Sequence, residues 1–560
     1  MKIKLLALAA ASVIGSQANA FEFDTPSDWE IRWDNTFKLN VMARVAEQDD
    51  DVVTPQAGAG WFLADDSDLS VDRSSLGLVS TRFDVLSEMD VIWKESFGFR
   101  VSGSAWYDPQ YDDDNNDHPG NRRLTWASPS TPVGEYNHEA EDMHYAGGEL
   151  LDAFAFGNID IGETTLGVRV GRHTIYWGQA LATNGALHGI GGSMAPVDFN
   201  KALAVPGSEA KELFMPTGKI SSVWQLTDNL TLNAFWSWEH MAYRYPEDGT
   251  YWSPIESLTE NSEFITLAPG DPVRSGLKHR GFSEDTGDYG INLQYYIEPL
   301  GLDASFVYIN HTDKNLHGIL GVLRSENTPA PDIDPETGFG VNYLGEAKWV
   351  FKNDIELFAI ALAKEWAGIS FGADIVYRKD TGLAPNFTPS LTQAGIDFKK
   401  ADSGNYPGAV GDSWHVNLNA LHFLNGDWGL WQGGTAIVEA TFSMLDSCNE
   451  NCQLMDVRVS EDRVISQIFG LFRPTWYQVR PGWDLTLPMS VSYTIDGEKS
   501  PISAGGDEEG GSGSIGAELL INQVWTVRAA YNIRFGPVLA GTGGLLKDRD
   551  NVSLTIKRTW

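Results

Sequence analysis

Long stretches of this sequence alternate between apolar and polar residues with a period of two. The clearest runs are 37–45, 83–93, 483–495 and 525–535. Because successive side chains of a β-strand point to opposite faces, this period predicts strands with one apolar and one polar face. Charged residues, including Glu88 and Asp90, recur on the polar face well inside these runs. In a soluble β-sandwich the apolar face would pack against a second sheet, whereas these runs have the length of membrane-crossing strands.

Strands of this kind fit a lipid bilayer. A tilted transmembrane strand needs about 9–11 residues, and only a closed barrel pairs every backbone group within lipid. The chain also holds 20 Trp, 18 Tyr and 26 Phe, and the aromatic residues cluster at strand ends, as in the girdles of outer-membrane barrels. The sequence therefore predicts an all-β fold, a transmembrane antiparallel β-barrel in the outer membrane of a Gram-negative cell.

The alternating runs predict about 18 strands, with 16 as the alternative count. We expect them at 36–46, 79–93, 96–107, 142–157, 161–176, 218–227, 229–243, 286–298, 301–312, 354–365, 367–378, 413–425, 432–445, 463–476, 483–496, 513–522, 524–536 and 550–560. The connections between them alternate between short and long. Outer-membrane barrels have short periplasmic turns and long external loops, so both chain termini are expected in the periplasm.

The first 20 residues have the pattern of a secretory signal peptide. Lys2 and Lys4 precede a short apolar run, and Ala18 and Ala20 supply the small residues of a cleavage site before Phe21. The apolar run is too short to span a bilayer as a helix. The expected organisation is a signal peptide over 1–20, removed on export, and a single barrel domain over 21–560.

The chain contains two cysteines, Cys448 and Cys452, in a short polar segment. In the oxidising environment outside the cytoplasm we expect them to form a small loop disulfide. A metal site is the alternative reading, but two thiolates without a neighbouring histidine offer too few ligands. We therefore expect no metal at this position.

The formal net charge is -36 at pH 7, which excludes nucleic acid as a partner. The acidic clusters are expected in solvated loops, or in contact with lipopolysaccharide through divalent cations. Asp113, Asn115 and Asp117 have the opening spacing of a calcium loop, but His118 and Leu124 replace its turn glycine and closing glutamate. An EF-hand is excluded, and a weakly bound divalent cation at the first three residues is the remaining cofactor expectation.

The last run of the sequence is expected to direct assembly. Val552, Leu554 and Ile556 share one face with Trp560, on which the chain stops. This arrangement resembles the C-terminal signal that the barrel-assembly machinery reads. We therefore expect Leu554, Ile556 and Trp560 to form the assembly signal, and outer-membrane lipid to surround the folded barrel.

The segment 168–239 resembles the hallmark of a large outer-membrane family, catalogued as domain of unknown function 1302. The matching features are Val-Gly-Arg-x4-Trp-Gly at 170–178, Pro-Val-Asp at 196–198, Pro-Gly-Ser-Glu at 206–209 and Asp-Arg-Asp at 548–550. The resemblance implies an envelope component that works with an inner-membrane exporter of the resistance-nodulation-division type and a periplasmic lipid carrier. The implied task is to move a hydrophobic or amphiphilic compound across the envelope.

Two other classes of function stay open. One is a passive diffusion channel for small solutes or a fatty-acid-type uptake barrel, and the other is a surface adhesin. An apolar path through the lumen would favour the transport of hydrophobic or amphiphilic compounds. Opposed arginines and acids across an open pore would favour passive diffusion. The sequence has no Gly-x-Ser-x-Gly elbow, no His-Glu-x-x-His and no phosphate loop, so we expect no enzyme activity.

The long loop at 177–217 is rich in glycine and apolar residues for a solvated loop. We expect it to fold into the lumen as a constriction, with short helices at 200–204 and 208–214; a cap over the rim is the alternative. On the preceding strand, Arg169 has the parity of the inner face, whereas Arg172 shares the lipid-facing parity unless Gly171 introduces a bulge. The contacts expected between loop and lumen wall involve Arg169, Arg172, Trp177, Asp198 and Glu209, with an arginine holding Asp198 or Glu209.

The strand expected at 354–365 is apolar on both faces. Phe358 and Ile360 lie on one face, and Leu357 and Ala359 on the other. An apolar inner face indicates either a lumen that is apolar at this point or a plug segment that packs on this wall.

Overall fold

The computed structural model describes residues 21–49 without 24 and 27, 52, 70–72, 76–117, 134–247, 249–253, 264–268, 273–283, 287–315, 319–323, 332–333, 340–385, 390–392, 406–426, 429–502, 506–538 and 543–560. The expected signal peptide at 1–20 lies outside these residues. A short strand, Phe21–Glu22, is the first described element, and it pairs with Trp33 and Arg32 of the first barrel strand.

Eighteen antiparallel strands of the described chain close into one barrel, which confirms the predicted fold and the higher of the two strand counts. In chain order the strands are β1 Trp29–Arg44, β2 Leu78–Trp93, β3 Phe97–Tyr107, β4 Ala146–Ile161, β5 Thr164–His173, β6 Thr217–Thr227, β7 Leu230–Ser237, β8 Tyr289–Ile297, β9 Leu302–His311, β10 Ile355–Trp366, β11 Ile369–Gly382, β12 Val410–Leu424, β13 Gly433–Glu450, β14 Val464–Arg480, β15 Trp483–Thr486 with Met489–Asp496, β16 Gly511–Ile521, β17 Trp525–Phe535 and β18 Asn551–Thr559.

The barrel closes by pairing of its last and first strands. Thr36 of β1 pairs with Thr559 of β18, and the register continues without a shift to Arg44 and Asn551. Beyond β18, the backbone of Trp560 exchanges two hydrogen bonds with Asn35, at 2.9 and 3.1 Å. The closed ladder leaves no free sheet edge at this seam, as a barrel in lipid requires.

The alternating residues separate inner and outer faces as their period predicts. On β1, Lys38, Asn40 and Arg44 are buried inside the barrel, whereas Leu39 between them is 37% exposed. On β18, Val552 and Leu554 are exposed on the outer face, and Ser553 and Thr555 are buried. The outer surface is therefore the apolar band that contacts lipid.

Short turns and long connections lie at opposite ends of the barrel. The turns after β2 and β16 have two consecutive residues with positive φ, Lys94 and Glu95 in one and Asn522 and Gln523 in the other. This conformation matches the right-handed twist of a hairpin. By the rule for outer-membrane barrels, this end faces the periplasm and the long connections face the exterior.

Other described elements lie in the long connections. A separate six-stranded sheet contains Phe264–Ala268, Val273–Ser283, Ile319–Leu323, Asp332–Ile333, Gly340–Val350 and Ser390–Thr392. Four short helices, α1 Thr183–His188, α2 Gly191–Met194, α3 Phe199–Ala204 and α4 Ala210–Leu213, fall between β5 and β6. Two further helical segments among the described residues, His138–Ala140 and Val457–Glu461, lie in other connections. No helix in the described part of the chain has the length and apolar character needed to cross a membrane.

Candidate functional site

The connection between β5 and β6, residues 174–216, folds into the barrel. We term it the inward segment. Its residues 185–198 are buried, and helices α1 to α4 all lie within it. The two helices expected from the sequence thus appear as α3 and α4, and α1 and α2 are additional.

The apolar face of the inward segment packs on one wall of the lumen. Trp177, Ile190 and Met194 form a buried cluster with inward-facing side chains of four strands on one side of the barrel, β7 and β9 to β11. Those wall residues are Phe235, Val307, Ile309, Leu357, Ala359, Ala361 and Val376. The ring of Trp177 meets Phe235 edge-on at 5.4 Å. The inner apolar face of β10 is therefore covered by the inward segment and is not an open path.

Polar wall residues of β11 to β13 hold the backbone of the inward segment. Asp374 accepts hydrogen bonds from the N–H of Gln179 at 2.9 and 3.0 Å, and Glu439 accepts from the N–H of Ala182 at 3.1 Å. A Cβ on Gly185 would lie 2.2 Å from Oε1 of Glu439. Only glycine at 185 thus lets α1 approach the carboxylate this closely.

Ion pairs hold the other end of the inward segment to the opposite wall. Glu212 pairs with Lys38 of β1 at 3.1 Å, and Lys211 pairs with Glu88 of β2 at 2.5 Å. Glu209 forms an ion pair with Lys557 of β18. In a barrel of eighteen strands, β1, β2 and β18 lie opposite β9 to β11, so the inward segment crosses the lumen from wall to wall.

Asp198 and Glu209 are thus anchored, but by partners other than those expected. Asp198 caps α3 through the N–H of Lys201 at 2.7 Å and pairs with Arg244, which follows β7, at 2.7 Å. Burial acts to lower the pKa of Arg244, but Asp198 and Glu149 outweigh it and raise the pKa. Burial likewise acts to raise the pKa of Glu209, whereas Lys557 and neighbouring lysines bring it below the ordinary value.

The expected pairing of Arg172 with Asp198 or Glu209 is wrong. The register of β5 with β4 continues without a bulge at Gly171, so Arg172 keeps the outward parity of Val170. At this outer end of the strand its guanidinium pairs with Glu239 at 2.8 Å and donates to the carbonyl of Pro216 at 3.1 Å. An arginine near the outer interface finds these polar partners without turning into the lumen.

Arg169 has the inner parity expected for it but does not bind a carboxylate of the inward segment. Its guanidinium lies over the ring of Phe154, 5.5 Å from the centroid. Ser221 stands opposite it on β6 and Phe156 opposite it on β4. Arg169 therefore belongs to the lumen wall below the inward segment.

A chamber of about 900 Å³ lies between the inward segment and the strands β1 to β8. Ile175, Tyr176, Trp177 and Pro216 form its roof. Its walls combine aliphatic and aromatic residues with charged and amide side chains, namely Arg32, Leu86, Glu88, Asp90, Ile92, Arg100, Leu151, Asp152, Phe154, Phe156, Asn158, Arg169, Val223, Asn233 and Gln294. Ile92 and Asn158 lie close to the short turns, which places the chamber on the periplasmic side of the roof.

One wall of the chamber carries a cluster of charges. Arg100 binds Asp90 at 2.9 Å and Asp152 at 3.3 Å, and it also pairs with Glu88. These residues belong to the neighbouring strands β2, β3 and β4. The cluster is therefore confined to one wall and does not oppose acids to arginines across the lumen.

The remaining residues singled out by the sequence lie away from the chamber. Cys448 and Cys452 are joined by a disulfide at the outer end of β13. Asp113 and Asp117 accept hydrogen bonds from the N–H groups of Tyr136 and Asp72. Within the described residues, no group of three or more His, Cys, Asp or Glu side chains could hold a metal ion. The weak divalent-cation site expected at Asp113, Asn115 and Asp117 stays a prediction.

Several anchors of the inward segment were not predicted from the sequence. Asp374, Arg378 and Glu439 lie about 190 to 260 residues beyond the backbone groups that they bind. Each is a charged residue at an inward position within a long alternating run. A charge so deep in a strand indicates a lumen contact, although it does not identify the partner.

Comparison with known proteins places this chain in a family. No curated protein matches it. Among solved structures it is similar to Acinetobacter baumannii OccAB3, at 11% identity and a TM-score of 0.42, over 95% of this chain and 99% of that one. It is also similar to the outer membrane channel DcaP of Acinetobacter baumannii, at 8% identity and a TM-score of 0.36, over 96% and 99% of the two chains. Pseudomonas aeruginosa OpdK with vanillate matches at 9% identity and a TM-score of 0.39, over 95% and 98%.

These similarities concern the fold alone. The family described as protein of unknown function (DUF1302) matches residues 1–560, the whole chain. The resemblance carried by the motifs at 170–178, 196–198 and 206–209 is thereby confirmed. This chain belongs to the DUF1302 family, and its fold is that of an outer-membrane β-barrel.

Proposed function

We propose that this chain is an outer-membrane channel for a hydrophobic or amphiphilic compound, with the inward segment as its gate. The chamber under the inward segment is the single observation that carries the proposal. Its volume of about 900 Å³ lies within the range of small-molecule sites. Its lining offers apolar surface and polar groups side by side, as a compound with an apolar body and a polar head requires.

The apolar surface of the chamber includes a valine exposed inside the barrel. Val223 of β6 has the inward parity of Ser221 and is 54% exposed. Phe154 and Phe156 of β4 line the same space. Apolar surface exposed to water in a lumen favours the binding of an apolar ligand, because displacement of that water lowers the free energy of the complex.

The test is passage of an amphiphile through the purified protein in proteoliposomes. We expect an amphiphile that crosses lipid slowly on its own, such as decylphosphocholine, to cross faster than in protein-free vesicles, and the double variant F154A/F156A to slow it several-fold. The control variant Trp366→Ala changes an aromatic residue beside the short turn after β10, away from the chamber. Equal rates in the wild type and in protein-free vesicles would rule out this cargo class.

We further propose the partners that the family resemblance implies. These are an inner-membrane exporter of the resistance-nodulation-division type and a periplasmic lipid carrier, which would load the chamber from the side of the short turns. Photo-crosslinking from the turn at Asp228 in cells is expected to capture the carrier. The same probe at Asp114, on the opposite end of the barrel, is the control.

A passive channel for small solutes is the second candidate, because charged side chains such as Arg100 and Asp90 line the chamber, although on one wall only. Charged walls select ions and polar solutes rather than apolar compounds. This candidate predicts steady conductance in planar bilayers and no stimulation of amphiphile passage. The proteoliposome experiment therefore separates the two candidates.

A further inference from the structure

We infer that the chamber contains a binding site for an anionic head group, a carboxylate, centred on Arg169. The inference rests on the proposed function and names the charge of the cargo. It depends on which chamber cation lacks a counter-ion and on what surrounds that cation.

The other cations among the described chamber residues have acidic partners. Arg100 binds three carboxylates, and Lys211 pairs with Glu88. Arg32 pairs with Glu30 at 3.1 Å. Their charges are therefore largely compensated within the protein.

Arg169 lacks such compensation. Among the described residues its guanidinium has no hydrogen bond or ion pair. It lies over the ring of Phe154, and its side chain is exposed to the chamber. The nearest carboxylate on the same wall, Asp152, accepts a hydrogen bond from Nε of Arg100 at 3.3 Å and forms none with Arg169. The planar guanidinium thus keeps its N–H donors free, in a geometry that matches the two oxygens of a carboxylate.

The surroundings of Arg169 fit the rest of an amphiphile. Phe156 and Ser221 lie opposite it on the two neighbouring strands, and Val223 lies two residues further along β6. The aromatic rings and the exposed valine offer an apolar wall that begins at the guanidinium. A carboxylate bound at Arg169 would leave its alkyl chain along this wall, under the roof formed by Ile175 and Trp177.

The experiment measures binding to the full-length protein in lipid nanodiscs by equilibrium dialysis. The probes are decanoate, decanol and decyltrimethylammonium, which share one alkyl chain and differ in head-group charge. Empty nanodiscs give the background of lipid partitioning. We expect the wild type to bind decanoate at least tenfold more tightly than decanol, and the cation most weakly.

The substitution R169Q is expected to lower decanoate affinity about tenfold and to leave decanol affinity unchanged. R169K, which keeps the positive charge but lacks the planar guanidinium, should retain part of the affinity. R32Q is the matched control, because it removes an arginine of the same chamber that already has a partner. It should change decanoate binding less than twofold.

Two results would overturn the site. One is equal wild-type affinity for decanoate and decanol, which requires no variant and so does not depend on the folding of R169Q. The other is an equal loss of decanoate binding in R32Q and R169Q, which would indicate that the combined positive charge of the chamber, and not Arg169 in particular, attracts decanoate. Decanoate bound at Arg169 without amphiphile passage in proteoliposomes would instead contradict the proposed function and leave the site intact.

Discussion

Arg378 of β11 donates a hydrogen bond from Nη2 to the carbonyl oxygen of Leu187, over 2.9 Å. The same nitrogen lies 3.0 Å from the carbonyl oxygen of Gly189. Leu187 belongs to the last turn of α1, where unpaired carbonyls and the helix dipole favour a cation. The wall of the barrel therefore binds the inward segment through the C-terminal end of a helix.

The first prediction concerns this contact. Arg378→Gln should weaken the attachment of α1 by about 2 kcal/mol, since hydrogen bonds to a charged group contribute roughly that much. In planar bilayers the variant should show more frequent open events than the wild type. Arg473→Gln is the control, because Arg473 pairs with Glu518 of the wall rather than with the inward segment. Identical current traces for Arg378→Gln and the control would contradict the anchoring role.

The second prediction concerns the apolar contact of the inward segment. Trp177→Ala should destabilise the folded barrel by about 3–5 kcal/mol, as truncation of a buried tryptophan does elsewhere. Trp177 is 7% exposed, whereas the control residue Trp366 is 68% exposed. The measurement is urea unfolding followed by the loss of heat-modifiable migration in gels. A change in Trp177→Ala no larger than in Trp366→Ala would mean that the cluster does not stabilise the barrel.

The third prediction concerns orientation. Single cysteines at Asp114 and at Asp228, in a background without Cys448 and Cys452, should react differently with a membrane-impermeant maleimide in intact cells. Asp114 lies in the long connection after β3, and Asp228 in the short turn after β6. Labelling is expected at position 114 alone. Labelling at position 228 alone would invert the assigned orientation.

The fourth prediction concerns assembly. Trp560 stacks on Phe37 of β1 with ring centroids 4.6 Å apart, and Leu554 is 40% exposed on the lipid face. Deletion of Trp560 should lower the amount of barrel in the outer membrane, and so should Leu554→Asp, because a charge on the lipid face costs up to a few kcal/mol near the midplane. Immunoblots of outer-membrane fractions measure both, with Leu554→Ile as the control. Normal levels of both variants would exclude an assembly role for the terminal strand.

The barrel was largely predictable because its period of two residues is a local property. The limits of β2, β3, β6 and β16 differ from the expected ones by two residues or fewer. β4 begins at Ala146 instead of 142, because Glu141–Tyr145 forms a π-helical turn. β7 ends at Ser237 instead of 243, because the chain leaves the barrel wall after Ser237 and Arg244 forms a β-bridge with Asp198 of the inward segment.

The contacts inside the lumen were predicted only in part, because they join residues distant in sequence. The apolar inner face of β10 indicated two alternatives, and the position of Trp177 decides between them. The acidic residues Asp198 and Glu209 form ion pairs, but with Arg244 and Lys557 instead of the expected arginines, and these partners follow from the path of the chain across the barrel. No local pattern encodes that path.

The measurement that tests the central claim most directly is the single-channel conductance of a protein lacking residues 185–195. This deletion removes most of α1 and all of α2, including the groups bound by Arg378. If the inward segment is the gate, the variant should conduct several-fold more than the wild type, and cells that carry it should become sensitive to bulky hydrophobic antibiotics. A deletion of 112–116, in the connection after β3, is the control and should leave both properties unchanged. Wild-type conductance in a normally folded 185–195 deletion would contradict the account.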